Sequence, residues 1–221
     1  MEDKLVLLDL WASPYAMRVR IALAEKGIKY EAIEEKLLFE KKSSLLLEMN
    51  PVLKKIPVLI HNGKPVCESL NIVQYIDEVW NDKSPLLPSD PHQRSQARFW
   101  ADYVQNKVCM ANRKITRAEA EEDKETGKKE VIECLKVLEV ELGDKLYFNG
   151  ESFGFVDLAL VPLTSWFYTM ETYANFTIEI VCPKIISWAK RCMEKESVAN
   201  SLPDPRKVYD YLLERKRKYG F

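Results

Sequence analysis

Leu5-Val6-Leu7-Leu8-Asp9-Leu10-Trp11-Ala12-Ser13-Pro14-Tyr15 passes from an apolar run into a Ser-Pro turn, and an amphipathic segment from Met17 to Lys26 follows. The order reads as strand, tight turn and helix. Ser13 falls at or beside the N-cap, where a side-chain oxygen accepts a backbone N–H. Pro14 falls in the first helical turn, where a missing N–H costs little. The turn therefore holds a hydroxyl beside the positive end of a helix, a place that suits an anion. Taken alone, a Ser-Pro pair at a helix start reads first as a cap, by roughly two to one.

Outward from this turn, the first eighty residues alternate strand and helix signals. A strand over 4–10 leads into a helix over 14–26, stopped by Gly27. Residues 29–34 read as a second strand, and a short helix around 43–49 ends at Asn50-Pro51. Val58-Leu59-Ile60 and Pro65-Val66-Cys67 flank His61-Asn62-Gly63-Lys64, and Asn-Gly between short apolar runs signals a hairpin. Glu68-Ser69 opens a helix over 70–80, with Ile72, Tyr75, Ile76 and Val79 on one face. The order β-α-β-α-β-β-α is compatible with a mixed sheet and a right-handed crossover.

Pro85, Pro88 and Pro91 mark residues 81–91 as a linker between a domain over 1–80 and a second over 92–221. The second reads as helical throughout. Ala97, Trp100, Ala101, Val104 and Val108 form one apolar stripe; Val131, Leu135, Leu138 and Leu142 form another, stopped by Gly143. The charged segment 119–130 reads as a solvated loop or helix end. Residues 155–163 are apolar on all sides and predict a central buried helix, with Asp157 near its start as a cap.

The 221 residues are 47% apolar and 30% charged, enough to bury a core and remain soluble. A net charge of −1 gives no reason to invoke nucleic acid or an anionic membrane. No apolar run is long enough to span a bilayer, and Met1-Glu2-Asp3-Lys4 does not resemble a secretory leader. Cys67, Cys109, Cys134, Cys182 and Cys192 are scattered and form no C-x-x-C pair. That opposes a disulfide scaffold, a zinc site and a dithiol motif, and it suits a reducing cytosol with each thiol buried as a small apolar group.

Serine nucleophile chemistry lacks its partners. His61 sits in the hairpin, His92 lies just past the linker, and no G-x-S-x-G elbow exists. Metal-ligand spacings and phosphate-binding glycine loops are also missing from the sequence. What remains suits one anionic, peptide-like ligand. Lys42 and Lys55 could pair with a carboxylate, although each alone reads as a surface lysine. A cis bond before Pro57 would turn the Ile56 backbone outward to pair with an extended ligand. Ser69, at a helix start, could hold a second carboxylate, and Glu68 alone would favour the helix dipole.

Together, Trp11–Tyr15 with Arg18-Val19-Arg20-Ile21-Ala22-Leu23, Glu25-Lys26-Gly27, Asn50-Pro51, Lys54-Lys55-Ile56-Pro57-Val58-Leu59 and Glu68-Ser69 resemble a plant tau-class glutathione transferase. Arg98-Phe99-Trp100-Ala101-Asp102-Tyr103, Gly154-Phe155-Val156-Asp157 and Cys182-Pro183 with Trp188-Ala189 extend the resemblance over nearly the whole chain. It implies an α+β thioredoxin-like first domain (βαβαββα), an all-α second domain, and a cytosolic homodimer acting in detoxification and stress response. The implied activity is conjugation of reduced glutathione, a co-substrate and not a resident cofactor, to small hydrophobic electrophiles. Glutathione-dependent peroxidase activity would accompany it, and no metal, membrane or nucleic acid is implied.

Position by position, Ser13 matches the serine that hydrogen-bonds the glutathione sulfur. Lys42 and Lys55 match the lysines at the glycyl end, Ile56 the backbone before the cis-proline Pro57, and Glu68 with Ser69 the γ-glutamyl end. The resemblance implies an electrophile pocket with Tyr15, Met110, Arg113, Trp166 and Tyr211 as its candidates. Three departures stand out. Lys41-Lys42-Ser43-Ser44 replaces a usual Asn-Lys-Ser-Pro, Thr116 stands near where an aromatic is common, and Gly154 stands where the wider superfamily caps with Ser or Thr. A wider pocket at Thr116 would suit a carrier of apolar ligands, the alternative reading. A cysteine-based thiol reductase is disfavoured, because the reactive place holds Ser13.

Overall fold

The computed structural model describes residues 4–35 and 41–220. The leader expectation rests partly on residues 1–3, which lie outside the described residues. The chain divides into two compact units, Met1–Pro85 and Leu86–Phe221. Leu86 and Leu87, inside the expected linker, are buried in the second unit.

The first unit is built on a four-stranded sheet. Its strands are β1 (Leu5–Asp9), β2 (Glu31–Glu34), β3 (Val58–His61) and β4 (Lys64–Cys67), in the spatial order β2-β1-β3-β4. β1 pairs parallel with β2 and antiparallel with β3, and β3 pairs antiparallel with β4. β1 is buried along its whole length, which explains a continuous apolar run instead of alternation. Val6 and Leu8 join Val58, Ile60 and Leu46 in one core cluster, to which Leu46 belongs through the short helix α2 (Ser44–Met49). By the two-residue period of a strand, Leu7 and Leu59 face the opposite side. Helices α1 (Pro14–Glu25) and α3 (Ser69–Val79) pack against each other. The buried Lys26 ammonium, just past α1, meets Asp77 of α3 at 2.7 Å.

The hairpin turn is narrower than the sequence suggests. Asn62 and Gly63 alone take positive φ, 51° and 78°, while His61 and Lys64 are the last paired residues of their strands. That is the pattern a two-residue primed turn requires. His61 is held by Tyr75, whose hydroxyl lies 2.8 Å from Nδ1, and it stacks on Trp80.

The second unit is helical among the described residues. It comprises α4 (Pro91–Tyr103), a π-helical turn (Val104–Val108), α5 (Cys109–Arg117), α6 (Glu121–Leu142), α7 (Phe155–Leu160), a 3₁₀ segment (Val161–Trp166), α8 (Phe167–Ala174), α9 (Ile178–Val181), α10 (Pro183–Met193), α11 (Glu196–Ala199) and α12 (Pro205–Tyr219). Two expectations need correction. Residues 121–130 take the helical alternative and are more than a helix end, forming the first half of α6. Three acids in its first turn suit the helix dipole, and Lys124–Glu121 and Lys128–Glu125 pair one turn apart. Gly127 is tolerated inside this helix because a Cβ there would meet Ile115 of α5 at 3.0 Å. The helix expected over 155–163 is α-helical only to Leu160. Pro162 has no N–H to continue the ladder, and the chain tightens into the 3₁₀ segment.

Asp157, fully buried in α7, ties three segments together. Its carboxylate accepts from Gly154 N–H (2.9 Å), Phe148 N–H (2.9 Å) and the Trp188 indole N–H of α10 (2.7 Å). Burial outweighs these bonds and pushes its pKa up to about 6. A side chain at Gly154 would place Cβ 2.7 Å from Asn149 Cβ, so glycine fits this cap position sterically. Cys109, Cys182 and Cys192 are buried as expected, but Cys67 and Cys134 are only half-buried. Burial raises the thiol pKa of Cys67, Cys134, Cys182 and Cys192, for Cys182 to about 11.

Candidate functional site

Ser13 is the N-cap of α1. Its backbone is extended (φ −78°, ψ 115°), its Oγ accepts the Ala16 N–H at 3.3 Å, and its carbonyl accepts from Met17 at 3.0 Å. The hydroxyl is buried, with one lone pair used by the helix, and no acceptor for its proton is present among the described residues. It is therefore a donor beside the positive end of a twelve-residue helix. The turn before it is braced. Arg20 of α1 reaches Asp9 Oδ2 at 2.9 Å and the Trp11 carbonyl at 3.0 Å, and Asp9 Oδ1 accepts the Leu10 N–H at 2.7 Å.

At the start of α3, Ser69 is buried and its Oγ accepts from Arg18 of α1 at 3.1 Å. The Arg18 guanidinium, itself fully buried, lies 5.3 Å from the Tyr15 ring centroid. Arg18 thus ties the beginnings of α1 and α3 together and places a buried cation beside Ser69. Glu68, the residue before Ser69, is exposed and has φ 69° and ψ 119°. A non-glycine residue there carries strain of about 1–3 kcal/mol, a feature concentrated at functional sites. Comparing Glu68→Gly with Glu68→Ala isolates that strain, since both lack the carboxylate. The glycine variant should be the more stable by about 1 kcal/mol in urea denaturation; equal stabilities would mean that no strain is stored.

Between α2 and β3, Asn50 organises a third segment. It is buried; its Nδ2 donates to the Lys55 carbonyl at 2.9 Å, its Oδ1 accepts the Leu53 N–H, and its carbonyl accepts the Lys54 N–H. The Ile56–Pro57 bond that follows is cis, with Pro57 buried. The Ile56 side chain packs on the core cluster, and no hydrogen bond engages its N–H or C=O among the described residues. Lys55 is exposed and Lys42 half-buried.

Within the second unit, Met110 and Arg113 lie on α5, Trp166 ends the 3₁₀ segment, and Tyr211 lies on α12. α12 packs against the 3₁₀ segment, which makes Tyr211 and Trp166 members of adjoining elements. Trp166 is buried, Arg113 and Tyr211 are half-buried and Met110 is exposed. The Arg215 guanidinium sits 5.5 Å from the Tyr211 ring centroid. Thr116 donates its hydroxyl to the Asn112 carbonyl at 3.0 Å, so that hydroxyl is satisfied within α5.

Residues 3–78 match the family model of the glutathione S-transferase N-terminal domain, and residues 99–196 match that of the C-terminal domain. A probable glutathione S-transferase of Nicotiana tabacum, parA, is 63% identical over 99% of this chain and 98% of its own length. Glutathione S-transferase 3 of Glycine max is 59% identical over 98% of each. Rice GST1, solved in complex with glutathione, superposes with a TM-score of 0.92 over 100% of both chains at 46% identity. A tau-class glutathione S-transferase from mango, Mangifera indica L., gives 0.89 over 96% of this chain and 98% of its own, at 40% identity. The chain belongs to the tau-class glutathione S-transferases.

For this transferase, reading the residues in order does not reveal the contacts that Arg18 and Asn50 make. Arg18 is recognisable in sequence only as one member of a motif, and its contact with Ser69 spans 51 residues. Asn50 reads as a helix stop, and its clamp on Lys55 emerges only in three dimensions. The Ser44 departure has a visible consequence. α2 begins at Ser44 without a proline, capped by Ser43, whose Oγ accepts the Leu46 N–H at 3.0 Å.

Proposed function

We propose that this transferase joins the sulfur of reduced glutathione to small hydrophobic electrophiles, with Ser13 as hydrogen-bond donor to the thiolate. The observation that carries this reading is the buried Ser13 hydroxyl, its lone pair committed to the start of α1 and its proton left to donate. A free thiol has a pKa of about 8.5, and the thiolate is the nucleophile. A helix N-terminus contributes roughly 0.3–1 kcal/mol, up to about 2 when partly buried. A hydrogen bond to a charged group contributes roughly 1.5–3 kcal/mol, and one pKa unit is about 1.36 kcal/mol. Together they bring a bound thiol near neutrality. The thiol proton leaves to solvent, Ser13 keeps its own, and the sulfur lone pair forms the new bond as the electrophile's leaving group departs or its double bond accepts the electrons.

The rest of the first unit holds the tripeptide. Lys42 and Lys55 pair with the glycyl carboxylate, the Ile56 backbone pairs with the cysteinyl unit as a strand would, and Glu68 and Ser69 take the γ-glutamyl end, with Arg18 supplying charge behind Ser69. Within the second unit, Met110, Arg113, Trp166 and Tyr211 are the residues proposed to receive the electrophile. Attack of the same thiolate on the terminal oxygen of an organic hydroperoxide breaks the O–O bond, giving glutathione sulfenic acid and an alkoxide that takes a solvent proton to become the alcohol; a second glutathione converts the sulfenic acid to the disulfide and water. The protein acts as a cytosolic homodimer. Thr116, smaller than an aromatic, favours a second reading in which apolar ligands are carried and conjugation is secondary. Steady-state assay with a chloronitroaromatic substrate separates the two. Saturable, glutathione-dependent turnover is expected; tight binding of apolar ligands with no turnover would establish the carrier.

A further inference from the structure

We propose that Glu35 is a positioning residue for glutathione: its buried carboxylate clasps Ser43 and thereby sets the backbone that presents Lys42 to the glycyl carboxylate. This rests on the glutathione reading above and extends it to a residue that contacts no ligand.

Glu35 follows the last residue of β2 and is 5% exposed. Its N–H donates to the Asp9 carbonyl at 2.8 Å, which fixes it to the end of the central strand. Its Oε1 accepts the Ser43 hydroxyl at 2.5 Å and its Oε2 accepts the Ser43 N–H at 3.4 Å. Ser43 Oγ in turn accepts the Leu46 N–H, and Leu46 is fully buried in the core cluster. The chain of bonds thus runs from β1 through Glu35 and Ser43 into α2, and Lys42 is the residue next to the clasp. Asp9, at the other end of the chain, also anchors Arg20, which holds the Trp11 carbonyl ahead of Ser13. One strand end therefore registers the thiol-side turn and the glycyl-side lysine against each other.

Chemistry explains why the residue is an acid. A carboxylate offers an acceptor on each oxygen and takes one Ser43 donor on each, whereas a glutamine puts an NH2 where one of those acceptors stood, so that both Ser43 donors must share one oxygen or one loses its partner. Burying a carboxylate is unfavourable unless it is fully hydrogen-bonded, so the place needs a gain beyond solubility. A half-buried lysine still loses side-chain entropy on binding a carboxylate, and fixing its backbone beforehand recovers affinity.

The test is a cycle of Glu35→Gln and Lys42→Ala with KM for glutathione as the readout. Glu35→Gln is expected to raise that KM about five-fold, the scale of one partly exposed ion pair. The KM for the electrophile and the kinetic pKa of bound glutathione should stay put. In the Lys42→Ala background, adding Glu35→Gln should change KM by less than about two-fold, because the lysine it positions is gone. An unchanged KM in Glu35→Gln, or an equal further rise in the Lys42→Ala background, overturns the proposal; the second result would mean general loosening. Should Glu35→Gln fail to fold, Ser43→Ala must raise the KM and Ser43→Thr, which keeps the donor hydroxyl, must restore it. Failure of the wild type to bind glutathione overturns the glutathione reading and this proposal together, and is read without any variant.

Discussion

Ser13→Ala lowers kcat at neutral pH by roughly ten- to a hundred-fold and raises the kinetic pKa of bound glutathione by about one to two units, the worth of one hydrogen bond to a charged sulfur. The two changes are linked. With less thiolate at neutrality the rate falls, and it recovers as pH rises through the new pKa, so the wild-type and variant profiles converge at high pH. KM for glutathione is expected to change little, because the contacts proposed for the ligand's two ends do not involve Ser13. Ser13→Ala also removes the cap of α1, which costs about 1 kcal/mol of stability by itself. Ser13→Thr separates the effects: it keeps both hydroxyl and cap and should retain most of the activity. A pH–rate profile in which Ser13→Ala loses turnover with an unshifted pKa would remove Ser13 from thiolate stabilisation.

Asp157→Ala carries the largest expected loss of stability. It leaves three buried donors, on Phe148, Gly154 and Trp188, without their acceptor. Each unsatisfied donor costs about 1–3 kcal/mol, and Tm should fall by roughly 10 °C or more. The pH dependence has a definite sign. Asp157 titrates at about 6 in the folded chain against an ordinary 3.8, so the folded state binds the proton more tightly. Its share of stability is greatest below the ordinary value and falls as pH rises through about 6. The destabilisation by Asp157→Ala should therefore be larger at about pH 4.5 than at about pH 7. Urea denaturation at the two pH values checks this, and an effect that grows with pH would show the carboxylate to be stabilised in its charged form.

Local chemistry made much of the first unit legible. The apolar run of β1, the Ser-Pro start of α1, the glycine after it and Asn62-Gly63 each act over a few residues, and each stands where its signal lies. The second unit was less legible at its joints. A π-helical turn interrupts the stripe at Val104–Val108, and the apolar spacing across it still looks helical. The charges of 119–130 suggested solvent, yet i,i+3 pairing and a glycine fitted against α5 make a helix of most of that segment. The site was legible residue by residue only where a motif named it. Contacts that bridge tens of residues, such as Arg18 with Ser69 or Lys26 with Asp77, leave no periodic trace in a sequence. Positive φ at Glu68 has no signal either, because glutamate is not a residue that prefers it.

Titration of the ultraviolet thiolate absorbance of glutathione bound to the wild-type protein, beside free glutathione, tests most directly whether this site lowers the thiol pKa. A pKa near neutrality, at least about one unit below the free value of about 8.5, is the expected result. Bound glutathione that titrates with the free thiol would contradict the role given to Ser13 and the α1 N-terminus.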